Sequence, residues 1–202
     1  MIERKELKKI NKELNKRGWL LEADSKLPSI VTLVVGEPVK GSWWGHAKGN
    51  LIYNTCGLLD EENDVLCLKL INGKRTYVHR RFWNLIFNLV RSNRTYLEKS
   101  LSSESRKILK TVEKNGSLRS DKSGAKAYSL IRPFVKELEK SLLCCSQSIH
   151  TESGFHITEL ASWAAVFRER KVPPKSLSEA EVQQQTLDFK GSFAKTVHFP
   201  WD

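Results

Sequence analysis

The chain has 202 residues, 34 of them Lys or Arg against 23 Asp or Glu, for a formal net charge of +11 with 40% hydrophobic residues. That composition is ordinary for a globular protein able to bury a core, and no apolar run is long enough to span a membrane. The charge and a sequence pI near 9.6 predict affinity for polyanions, without naming a fold.

The N-terminus, MIERKELKKINKELNKR, reads as charged helix and carries no apolar leader core. Leu7, Ile10 and Leu14 form its apolar stripe, and Gly18 suits its C-terminal end. Trp19-Leu20-Leu21 then enters the core. Pro28 and Gly36-Glu37-Pro38 bracket a short helix, Pro28 to Val35, although its β-branched content suits a strand. After Trp43-Trp44, the residues Leu51, Ile52, Cys56 and Leu59 recur at near-helical spacing. An acidic turn, Asp60 to Asp64, leads into two strands, Val65 to Ile71 and Lys74 to His79. Asn72-Gly73 joins them, a hairpin signal because both turn residues must take positive φ. A helix followed by this hairpin outlines a winged helix. Phe82 to Val90 is too apolar for a surface helix and reads as a buried buttress.

Ser102-Ser103-Glu104 starts a further helix that ends at Lys114-Asn115-Gly116. Ile131, Phe134, Val135, Leu138 and Leu142 give another, with Pro133 in its first turn. The polar stretch Ser146 to Ser153, ending at Gly154, resembles a second hairpin. Leu160, Trp163, Ala164 and Phe167 form a closing helix to about Arg170. The same order of elements thus occurs twice, without a repeat in letters. The fold class expected is mainly α with β-hairpins (α+β), as tandem winged-helix units. Residues 1–98 form the first unit with its N-terminal helix, 99–172 the second, and 173–202 a tail whose aromatics Phe193, Phe199 and Trp201 dock on the body. Cys56, Cys67, Cys144 and Cys145 lack zinc-site spacing and read as reduced, mostly buried thiols of a cytoplasmic protein.

Several residues carry candidate chemistry. Trp43 and Trp44 fill the space between helix and hairpin, or stack on bases. Ser42, His46, Lys48 and Asn50 lie where a helix begins, a position that serves as ordinary capping or as a phosphate site. Lys69, Lys74 and Arg75 at the hairpin would reach phosphates. Arg80 and Arg81 would hold phosphate, or pair with one of the acids from Asp60 to Asp64. His150 and His156 flank a turn that carries Glu152 and Ser153. The histidines and Glu152 would suit zinc, or Glu152 a general base, but no fourth ligand is evident, and structural histidines with a turn-capping Glu explain them as well. No Walker loop, GxGxxG, nucleophile elbow or HExxH occurs, so no cofactor is expected.

GSWWGHAKG, KLINGKRTYVHRRFW and IHTESGFH with a following Trp resemble short bacterial proteins related to the AlkZ/YcaQ DNA glycosylases. The resemblance covers roughly Leu27 to Trp163. It implies tandem winged helices and contact with DNA, in the setting of DNA repair. The family's catalytic signature is a Gln-x-Gln pair near the start of the chain, with an apolar residue between. Here the only match to the spacing is Gln183-Gln184-Gln185, in the tail and with Gln in the apolar slot. The expectation is therefore a non-enzymatic protein gripping duplex DNA through its phosphates. A divergent glycosylase, with Glu152, Gln183 or Gln185 as its weak candidates, is the alternative, and a protein-interaction module the second.

Overall fold

The computed structural model describes residues 2–119, 125–150, 156–190 and 197–202. Helix α1, Ile2–Arg17, buries Ile10 and Leu14 of the apolar stripe and stops at Gly18. Strand β1 follows at once, Trp19–Leu21, with all three side chains fully buried. The sequence reading placed these residues in the core but did not make them a strand. Helix α2 is Ile30–Val35. It starts two residues later than Pro28, because the Ser29 hydroxyl accepts from the Thr32 N–H and so defines the end. Helix α3, Gly49–Glu61, leads into strands β2, Val65–Ile71, and β3, Lys74–His79. The hairpin turns at Asn72 and Gly73 with φ of 53° and 66°, as the Asn-Gly signal requires.

These three strands form an antiparallel sheet in the order β1-β3-β2. Both its faces are covered. Leu66, Leu68 and Leu70 share one face, as alternation demands, and pack into a core with Trp19, Val78 and the helix α4, Trp83–Ser92. Val65, Leu20 and Tyr77 point the other way, into a second core with Ile10, Ile30, Trp43, Ile52 and Leu59. Burial on both faces explains why β2 reads VLCLKLI, a near-continuous apolar run. The Trp83 indole donates to Val78 O at 3.0 Å, fixing α4 to the sheet.

The second half repeats the plan. Helix α5, Arg94–Lys99, joins α4 to α6, Ser103–Asn115, capped by Ser102. Strand β4, Ser117–Arg119, precedes helix α7, Ala125–Ser141, and strands β5, Cys145–His150, and β6, His156–Ala161. The sheet order is β4-β6-β5, the same relation as in the first half. Two expectations change here. Pro133 lies inside α7 and not in its first turn, since the helix already runs from Ala125. Leu160 belongs to β6, paired with Leu118 and Ser146, and the closing helix α8 is Trp163–Glu169, capped by Ser162.

The second-half residues Leu109, Val112, Val135, Leu138, Leu160 and Phe167 join the same core as Trp19, Leu66 and Trp83. The tail completes that core. Helix α9, Glu179–Lys190, presents Phe189 edge-on to Phe82, and Phe199 lies near Phe189 with Trp201 stacked on it. Phe193 lies outside the described residues. The fold is α+β with two small antiparallel sheets, and no helix among the described residues is long and apolar enough to cross a membrane. The four cysteines are free, and burial pushes the Cys56 and Cys144 thiols up to about 12.

Candidate nucleic-acid interface

Trp43 and Trp44 divide the two roles open to them. They sit in a 3-10 turn, Trp43–Gly45, whose first N–H groups are met by Ser42: its hydroxyl accepts from the Trp44 N–H at 3.4 Å. Trp43 is 6% exposed and belongs to the core, whereas Trp44 is 66% exposed. The rings stack with centroids 4.3 Å apart, so the buried indole holds the outer one flat. Tyr53, itself exposed on α3, lies 5.8 Å from Trp44.

The turn is locked to α3 by backbone. The Trp43 carbonyl accepts from the His46 N–H, and the His46 carbonyl from the Gly49 N–H at 2.7 Å. A side chain at position 49 would bring its Cβ to 3.0 Å from the Trp44 carbonyl oxygen, a tight approach at which the turn would have to give by a few tenths of an ångström. His46 Nδ1 accepts from the Lys48 N–H, and the Lys48 ammonium donates to the carbonyls of Val34 and Val35. Ser42, His46 and Lys48 therefore build and cap the platform. The outward side chains beside it are Trp44, Asn50, Tyr53 and Asn54. Tyr53 and Asn54 were missed by sequence reasoning. They lie three and four residues, about one turn, after Asn50 and between the buried positions Ile52 and Thr55, which marks them as the outer face of α3.

The hairpin cations do not stand free. Lys74 pairs with Asp24 at 2.7 Å. Burial works against the ionised Asp24, but Lys74 and the N–H groups of Lys26 and Leu27 outweigh it and hold the carboxyl below its usual range. Arg75 meets Glu22 at 2.9 Å and Asp60 at 3.4 Å, and donates to Cys67 Sγ and the Tyr77 hydroxyl. Lys69 pairs with Glu139 of α7. Arg80 pairs with Asp64 at 2.7 Å, which matches the expectation that one arginine would take an acid from that turn. Arg81 donates to the Lys16 carbonyl and lies over the Phe82 ring. The hairpin turn is also occupied: the Asn72 N–H donates to His198 O at 2.9 Å, and the His198 N–H to Asn72 Oδ1 at 2.8 Å. The picture of an open cationic tip is corrected to one in which acids of both halves hold the cations and the tail covers the turn.

The remaining candidates are dispersed. Backbone pairing sets His150 opposite His156 across the second hairpin, and Glu152 lies outside the described residues. Among the described residues, no group of three His, Cys, Asp or Glu is placed to hold a metal. Gln183 is exposed on α9, and Gln185 borders a hollow with Lys16, Arg17 and Arg81. Comparison with protein-family models, curated proteins and solved structures finds no match for this chain.

Proposed function

We propose that this chain is a duplex-DNA-binding protein of tandem winged-helix architecture, and that α3 with the Trp44 platform is its contact face. The supporting observation is the Trp43–Trp44 stack. An exposed indole held flat by a buried one loses little freedom on binding, and its free face is attracted to any base. Asn50 and Asn54 share the outer face of α3, and Asn is the side chain suited to the N6 and N7 edge of adenine. The order helix, strand, helices, hairpin, with the first strand beside the third, supports the winged-helix reading, in which such a helix enters a groove. The charge of +11 supplies the phosphate attraction, and the resemblance to AlkZ/YcaQ proteins supplies a repair setting.

The test is a titration against duplex, single-stranded and alkylated DNA at several salt concentrations. Duplex affinity is expected to fall with salt at a log–log slope of about −0.9 per phosphate neutralised. Trp44→Ala is expected to weaken binding about tenfold, since a stacked base is worth about 1–3 kcal/mol, with the thermal midpoint unchanged. Lys74→Ala is expected to leave the salt slope as it was, because that ammonium already serves Asp24. No alkylated base should be released. Unchanged affinity in Trp44→Ala would remove α3 from the interface, and base release lost in Gln185→Ala would replace binding by excision.

A further inference from the structure

A cleft of about 280 Å³ separates the two sheets. Strand β2 lines it from the first half, and β5 and β6 line it from the second. Two donors in its lining residues have no acceptor: Gln147 Nε2 and Arg170 Nε are both buried without a hydrogen-bond partner. Buried polar atoms are almost always paired in folded proteins, so two such donors around one cleft ask for an explanation.

The charges around them point the same way. The two carboxylates that line the cleft are engaged, Glu139 by Lys69 and Asp60 by Arg75. Arg170 has no ion pair among the described residues. Its terminal nitrogens donate to the carbonyls of Glu62 and Asp60 at 3.0 and 3.4 Å and to Asn63 Oδ1 at 3.5 Å. Those neutral acceptors orient the guanidinium, and the Asp60 carboxylate, itself paired with Arg75, attracts its charge without a direct ion pair. Cys67 adds no negative charge, because burial pushes its thiol up to about 12. The cleft is thus lined by a half-buried cation and by two residues whose buried N–H donors are unmet, and an occupant that reaches them brings acceptors.

We propose that this cleft binds a small oxyanion, a free phosphate or carboxylate group, held between Gln147 and Arg170. An oxyanion accepts without donating and carries the negative charge that a guanidinium binds most strongly. The volume is that of about nine water molecules at roughly 30 Å³ each, which fits a small ion or the anionic head of a metabolite. Because the two donors come from the second half and the opposite wall is β2, an occupant would also brace the halves against each other.

Isothermal titration of the full chain with inorganic phosphate, and separately with malonate, at matched ionic strength in chloride, tests this. One-site saturable binding of at least one anion is expected, and the arm that saturates identifies the source. Gln147→Ala removes a donor that holds nothing else and should weaken the anion about tenfold, with the fold intact by circular dichroism. Arg170→Lys keeps the charge but loses the Nε donor and should weaken it likewise. Trp44→Ala should bind the anion as the parent does, so this site and the DNA reading fail separately. Saturation by neither anion, or equal affinity in parent and both variants, overturns the proposal.

Discussion

Two adjacent tryptophans do different work because their backbone turn points one in and one out. Trp43 belongs to the core that holds Ile10, Ile30 and Ile52, and its truncation leaves a cavity there. Trp43→Ala is expected to cost about 3–5 kcal/mol in urea unfolding, and to free the Trp44 ring, read as a red-shifted emission. His79 is a second residue whose surroundings set its behaviour. Burial, and then the charge of Arg81, hold its pKa below the ordinary value. Its Nδ1 accepts from the Arg81 N–H at 3.4 Å. The unfolded chain therefore takes up a proton at a pH where the folded one does not. The stability due to His79 is complete above about 6.5 and declines as pH falls from there toward the folded value. Urea midpoints followed down through that window should drop less steeply in His79→Asn, which keeps an acceptor for the Arg81 N–H. An identical pH profile in the variant would mean that other groups titrate there.

Elements written in local code were legible. Asn72-Gly73 announced a turn through the backbone alone, and both strands run Val65–Ile71 and Lys74–His79 as expected on either side of it. Ser102 and Gly116 marked the ends of α6, since caps act on their own helix. What was hidden depends on partners distant in sequence. β1 is only three residues long, and becomes a strand because Trp19 and Leu21 find Val78 and Thr76 on β3. Lys74 and Asp24 are 50 positions apart, so a cationic tip in the sequence is a neutralised one in the fold. Pro133 looked like a helix start, yet the turns before it were already helical. The face of α3 was half visible: its apolar spacing gave the inner side, while the stack that holds Trp44 outward could not be read from WW.

At the scale of the whole molecule, the larger of the two cores spans both halves and is closed by the tail. Phe199 is 5% exposed, lies near Phe189, and has the Lys190 ammonium 4.9 Å from its ring centre. It anchors the segment whose His198 backbone seals the hairpin turn. Phe199→Ala should therefore lower stability and speed amide exchange at Asn72 well beyond that at Leu66, which lies within the β2–β3 ladder. Equal acceleration at both sites would show that the tail contributes to global stability alone, without clasping the turn. The cleft between the sheets belongs to this scale too, because neither half contains it, and no local pattern in either half announced that Gln147 and Arg170 line one cleft.

The contact between Asn72 and His198 joins positions 126 residues apart. During synthesis at about 5–20 residues per second, some 6–25 s separate the appearance of the two partners. Throughout that interval the hairpin turn exists with its amide and side chain open to other acceptors and donors. A nascent chain halted in this window would show the turn exposed on a sheet already paired. Arrest at successive lengths, read by protease sensitivity near Asn72, would therefore chart the moment at which the first half passes from foldable to finished.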